Sequence, residues 1–350
     1  MKKWAILLLV LVFSAAYGME QASAQQLKKE DVIKLRVADS LPLANPLSSK
    51  GIQIWIARVE ELTAGKVKFT HFPAGQMGKA NDMLELTRSR AVDLAYVGPT
   101  YVSGNMPLSG VMELPGAAAS SEISSVAYLR LCQGILLKPE FLKNGIRPVW
   151  AFVLPSYEIY NTKREVRLPK DTKGLKLRSG GGAMDHTLHY IGATSISSPP
   201  AESYEAVQRG VIDGVVMNSV SIFAYKLDEL VKYSTRGTSI GSFVATLSIN
   251  ENVWQTLPQE VQKAMLQAGE EVAKSFGIAQ DTDISKLVQQ FVEKRGLKVH
   301  DLTPDEQKIW TQTMAPVEQI WVKNMEAKGL PGQQVLNERK KVTQEIQTKK

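Results

Sequence analysis

The sequence predicts an α/β protein built as two lobes joined by several crossing segments, with a helical C-terminal region. Three observations carry that expectation. Strand-like runs alternate with stretches of helical periodicity, the pattern of βαβ units. A chain of 350 residues exceeds what a single core normally organises. A late apolar, β-branched run from Phe243 to Ile249 follows a second strand–helix series and reads as a return to the first lobe.

The elements follow in order. Lys2 and Lys3 precede the apolar stretch Trp4 to Ala16, and Ala22-Ser23-Ala24 supplies a small-x-small cleavage pattern. Residues 1–24 therefore read as a secretory signal peptide, too short and wrongly flanked for a membrane span, with Gln25 as the first mature residue. That implies a location outside the cytoplasm. Ile33 to Ala38 alternates as a strand, and Gly51 to Leu62 carries helical periodicity through Ile52, Trp55, Ile56 and Val59. Val67 to Phe72 is the next strand, Asn81 to Arg90 a helix and Val92 to Val97 a strand, so a largely parallel sheet is expected.

A second series starts near Ile146. Pro148 to Val153 reads as a strand that crosses between lobes, Leu175 to Arg178 as another, Met184 to Ile191 and Glu202 to Arg209 as helices, and Val211 to Val216 as a buried strand. From Pro258 the chain is helical, with Val261, Met265, Ala268, Val272 and Phe276 on one face. Gly296 to Val299 reads as an edge strand, and Thr303-Pro304-Asp305-Glu306 as an N-cap with proline at the first position and Glu at the third. The expected division is residues 25–154 with about 243–283 as lobe I, 155–242 with about 284–330 as lobe II and spanning helices, and 331–350 as a C-terminal tail. Glu338-Arg339-Lys340-Lys341 in that tail reads as a solvated helix end.

The net charge is +7, but its lysines are dispersed with no basic stripe interleaved with aromatics, which argues against a nucleic-acid partner. The lone Cys132 allows no intramolecular disulfide and sits in an apolar helical stretch as a buried thiol. His186 and His189 lack a third metal ligand at a diagnostic spacing. There is no Gly-x-Ser-x-Gly elbow and no phosphate-binding loop, and Gly180 to Gly182 do not meet the dinucleotide spacing. No catalytic residue, cofactor or metal is expected.

Binding is better supported. Arg178 closes a strand and is followed by Ser179-Gly180-Gly181-Gly182 and a helix start. Its planar fork matches a carboxylate at two points, and a bare loop with free N–H groups admits an anion. Tyr96 to Tyr101, Tyr157 and Met217 to Ser219 are candidate walls of a cleft around it.

At these residues the chain resembles the extracytoplasmic solute-binding subunits of TRAP transporters (family 7, C4-dicarboxylate-binding type). The resemblance rests on Leu35-Arg36-Val37-Ala38, the segments Val59 to Val67, Phe72 to Gly78 and Arg88 to Leu94, Lys173 to Arg178, and Tyr204 to Gly214, in that order and spacing. It implies a two-lobed periplasmic-binding-protein fold that closes on an organic acid anion, with Arg178 pairing the carboxylate. It also implies TRAP membrane permease subunits, driven by a sodium gradient, as partners. Many members carry a second arginine in a Gly-aromatic-Arg triplet; here Pro155-Ser156-Tyr157 stands there, Pro200 stands at an aromatic position of the sialic-acid binders, and Met217 precedes Asn218 where an Asn often follows Asp-Gly. These departures point away from sialic acid and towards a monocarboxylate with an apolar, aromatic or hydroxylated body. Asn218 and Ser179 are expected to hydrogen-bond the carboxylate, with Tyr157, Tyr101, Met217 and Phe243 lining the pocket. The competing readings are a binding protein of an ATP-driven importer, a sensor, or a secreted α/β enzyme using the same cleft.

Overall fold

The computed structural model describes residues 32–117 and 120–348; the signal peptide expected at 1–24 lies outside the described residues. Strands β1 (Ile33–Ala38), β2 (Val67–Phe72), β3 (Leu94–Val97) and β4 (Ile146–Val153) belong to one sheet, and β5 (Glu158–Asn161), β6 (Lys176–Ser179), β7 (Thr194–Ser197), β8 (Gly214–Met217) and β9 (Tyr233–Arg236) to a second. The chain then returns as β10 (Val244–Asn250) to the first sheet, and β11 (Lys298–Asp301) forms an edge of the second. The strand orders are β2-β1-β3-β10-β4 and β11-β9-β5-β8-β6-β7. This is the two-lobed α/β architecture.

The first sheet is mixed rather than largely parallel. β1 pairs in parallel with β2 and β3, as crossover helices require, but β10 runs antiparallel between β3 and β4. The reason is the direction of re-entry: β3 and β4 end at the cleft, and β10 begins there. β5 is antiparallel to β8 and β9 for the same reason, because it enters the second sheet from the cleft. β4 lies wholly within the first sheet; the crossing expected of it falls just after, at Leu154 to Tyr157. Leu154 N donates to Phe243 O at 2.9 Å and Tyr157 N to Gly241 O at 2.8 Å, so outgoing and returning segments pair. A third segment joins them where Gly116 N donates to Ser239 O at 3.0 Å.

A helix of 37 residues, Gln259–Arg295, braces the molecule. Besides the apolar face read from the sequence, it carries small residues at four-residue spacing: Gly269, Ala273 and Gly277. A Cβ on Gly269 would meet the Val149 carbonyl oxygen at 1.9 Å, and one on Gly277 would meet Glu122 Cα at 2.5 Å. The helix thus lies directly on β4 and on the start of helix Ser121–Gln133, whose first N–H groups (Ser121 and Glu122) donate to Asp281 at 2.8 and 3.1 Å. At its far end Arg295 pairs with Asp228, which follows β8 in the second lobe.

Aromatic packing carries this contact inward. Phe276 meets Trp150 and Phe152 edge-on at 5.8 and 5.9 Å, and Phe152 stacks on Tyr96 at 6.0 Å. Cys132 is buried, as its helical context predicts. Thr303 and Glu306 form the expected capping box at the start of helix Pro304–Met314. The run from Glu338 to Lys341 departs from expectation: helix Gly332–Gln347 buries Val335, Leu336 and Val342, and the same face carries Arg339, 7% exposed and bonded to Glu318 at 2.6 Å.

Helix propensity alone makes Gly269→Ala stabilising by up to about 1 kcal/mol. The contact with Val149 reverses the sign. Urea unfolding should show Gly269→Ala destabilised by about 1–3 kcal/mol, the range for overpacking; a stabilised variant would contradict this seat for the helix.

Candidate functional site

The parallel strands of both sheets point their carboxyl ends at one cleft, where ligands of open α/β sheets bind. A nearly closed cavity of about 20 Å³ lies there. Leu41, Asn45 and Leu47 reach it from the loop after β1, Tyr96 from β3, Tyr101 just after it, and Leu154 and Phe243 from the paired crossing segments. The second lobe supplies Tyr157, Arg178, Pro200 and Met217, with Ser221 and Tyr225 from the end of helix Ser219–Ala224. Leu41, Tyr96, Tyr101, Pro200 and Tyr225 also line an adjoining, wider space of about 410 Å³ between Gly75–Ala80 and Pro199–Glu202, the mouth of the cleft.

Arg178 is 2% exposed. Its Nε donates to the Ser198 carbonyl at 2.8 Å and its Nη2 to the same oxygen, which fixes the plane of the guanidinium. Tyr101 hydrogen-bonds the same guanidinium. No acidic side chain among the described residues forms a salt bridge with it. Tyrosinate does not neutralise it either. Burial pushes the hydroxyls of Tyr96, Tyr157 and Tyr225 well up, and that of Tyr101 up despite the pull of Arg178. The cavity therefore holds one buried cation inside a wall of neutral aromatic side chains. Tyr101 and Phe243 pack at 5.1 Å, and Tyr225 hydrogen-bonds Asn45 across the cleft.

Of the residues singled out from the sequence, Arg178, Tyr157, Tyr101, Met217 and Phe243 come together at this cavity. Asn218 lies beside them, 1% exposed: its Oδ1 caps the following helix by accepting from Ser221 N at 2.8 Å, and its Nδ2 has no partner. Ser179 does not join them. Strand alternation turns it to the opposite face from Arg178, where its hydroxyl bonds Asp185 and Ser195. Nor does the glycine loop cradle the cavity. A Cβ on Gly180 would meet Thr100 Cγ2 at 2.9 Å, one on Gly181 the Ser197 hydroxyl at 2.8 Å, and one on Gly182 a Glu113 carboxyl oxygen at 2.9 Å. The glycines let the second lobe close onto Thr100 and Glu113 of the first. Asn45, Tyr225 and Glu113 were not read from the sequence; nothing in their local pattern distinguishes them from loop and helix-end residues. His186 stays without co-ligands, and no cluster of three or more His, Cys, Asp or Glu side chains suited to a metal occurs among the described residues.

Comparison with known proteins agrees with this architecture. Residues 41–324 match the model of bacterial extracellular solute-binding protein, family 7. A solute-binding protein of Albidiferax ferrireducens is 27% identical over 263 residues, covering 74% of this chain and 76% of its own. A TRAP solute-binding protein of Rhodoferax ferrireducens, solved with copurified benzoate, superposes with a TM-score of 0.83 at 21% identity, covering 90% of this chain and 99% of its own. A marine-metagenome TRAP solute-binding protein described as specific for aromatic acid ligands, solved with 3-hydroxybenzoate, also superposes at 0.83, with 23% identity and coverage of 90% and 98%.

The glycine loop supplies a direct test. Gly181 has φ +102°, which strains any side chain, and its Cβ would press on Ser197 and on the Thr100 carbonyl. Gly181→Ala should cost about 1–3 kcal/mol of unfolding free energy. Gly104→Ala, where a Cβ meets nothing within 4 Å, should stay within about 0.5 kcal/mol. Equal effects at the two positions would contradict the tight lobe contact.

Proposed function

Because the chain belongs to bacterial extracellular solute-binding protein family 7, we propose that it is the periplasmic receptor of a TRAP transporter and captures a small monocarboxylate with an aromatic body. The observation that carries this is Arg178: a buried, immobilised guanidinium without a counter-charge, faced by Tyr96, Tyr101, Tyr157, Tyr225 and Phe243. A carboxylate supplies the missing negative charge, and the low-dielectric wall strengthens that pair beyond what an exposed one gives. A second carboxylate would find no second cation in the wall and would be costly to desolvate. Asn218 Nδ2, buried without an acceptor, is the donor we assign to a further ligand oxygen. Two structural neighbours hold benzoate and 3-hydroxybenzoate, which favours the aromatic body.

On this reading the lobes close over the ligand, exclude water and present the closed form to membrane permease subunits driven by a sodium gradient. The family is one of solute-binding proteins, so on this reading the ligand is released unchanged. Recovery of a chemically altered ligand after incubation would favour an enzyme.

A thermal-shift screen of aromatic, aliphatic, dicarboxylic and sugar acids tests the ligand class. An aromatic monocarboxylate at 100 times its Kd should stabilise the fold by about 2.7 kcal/mol, and a response confined to dicarboxylates would overturn the single-cation reading. Arg178→Ala should weaken capture of the responding acid by about 2–5 kcal/mol, measured by calorimetry. Unchanged affinity would remove Arg178 from the site.

A further inference from the structure

Glu113 is 1% exposed, and its carboxyl group touches both lobes beside the ligand cavity. It follows the short helix Leu108–Met112 of the first lobe. Its side chain bonds the hydroxyl of Thr100, the residue before Tyr101, and accepts from the backbone N–H of Ala183, the first residue of helix Ala183–Tyr190 in the second lobe. An Oε atom of the same carboxyl seats Gly182, the last of the glycines after Arg178. One carboxyl group thus joins the segment that carries Tyr101 to the segment that follows Arg178, the two residues that hydrogen-bond each other at the cavity.

Among the described residues no cation pairs with it. The titratable groups that face it are the carboxyls of Glu140 and Asp185, the former itself raised to about 7 by burial, and Tyr101 and Tyr157, both kept neutral by burial. His186 and Lys328 line the same neighbouring cavity as Glu113 without pairing with it. We propose that Glu113 is a positioning residue of the binding site that holds a proton when the lobes are closed and releases it when they part, so that ligand capture takes up a proton from water. This rests on the carboxylate-receptor reading above, since closure over a ligand is what seals Glu113.

Burial, opposed by the Thr100 and Ala183 hydrogen bonds, raises the closed-state carboxyl from 4.5 to about 8. A group that holds its proton more tightly when closed favours closure fully below its open-state value. That contribution is lost as pH rises through the closed-state value. Between about pH 5 and 8, therefore, each pH unit weakens capture, tenfold at most.

Calorimetric titration of the full-length mature protein with benzoate at pH 6.5, in two buffers of different ionisation heat, decides the matter. The wild type should take up close to one proton per benzoate bound, and its affinity should fall as pH rises to 8. Glu113→Gln, which keeps the acceptor for Ala183 N–H but cannot titrate, should bind with no proton uptake and with a flat pH profile. A merely structural role would change affinity without removing proton uptake. Wild-type binding without proton uptake, or a Glu113→Gln variant that still takes up a proton, would overturn the role of Glu113 and leave the carboxylate site standing. Failure of both proteins to bind benzoate, with no other aromatic acid responding, would overturn the receptor reading and this inference with it.

Discussion

The constraint on which the site depends is a cation placed where water cannot solvate it and no described side chain neutralises it. Burying an unpaired charge costs several kcal/mol, and Arg178 is held in that state by a single carbonyl, Ser198 O, and a neutral tyrosine. Neither carries charge. The surrounding architecture reads as the means of keeping it there: β6 ends at the cleft, Ser198 follows the neighbouring β7, and the crossing segments bring Tyr157 and Phe243 against it. On the receptor reading proposed above, the arrival of an anion offsets the cost of this environment.

The two lobes differ in how firmly they are joined to the rest. The first is locked to the long helix by backbone-to-backbone contact at Gly269 and Gly277 and by Asp281 capping its neighbour. Side-chain hydrogen bonds cross the cleft from Tyr225 to Asn45, between Arg178 and Tyr101, and from Ala183 N–H to Glu113. Three crossing segments limit how the lobes can move relative to each other without breaking either sheet. A hinge of this kind changes the cleft and leaves both cores intact.

Much of this was legible in the sequence, for physical reasons that differ between elements. Arg178 stood out as a guanidinium closing a short strand before Ser179 and three glycines, a pattern that an ordinary surface arginine beside a turn also fits; its burial at the cleft appears only in the fold. Tyr157, Tyr101 and Phe243 were readable as aromatics at strand ends. The mixed character of the sheets was not, since periodicity reports burial and not direction. Ser179 was misplaced because adjacency in sequence is opposition in a strand. The glycines were read as room for a ligand, whereas they are room for the other lobe. Asn45 and Tyr225 meet only through tertiary structure, and a carboxyl such as Glu113 looks like any surface glutamate until its neighbours are known. Arg339 was hidden in the same way, inside what looked like a solvated charge run.

The long helix also fixes what lengths the chain can tolerate. Gly269, Ala273, Gly277 and Asp281 recur every four residues and must all face β4 and helix Ser121–Gln133. Each residue of an α-helix advances the azimuth by about 100°. Deleting or inserting one residue between them would swing the next small side chain off the seam and bring a larger one onto the Val149 carbonyl. Length variation among chains of this architecture should therefore be barred from this stretch and gather in the loops, where no phase has to be kept.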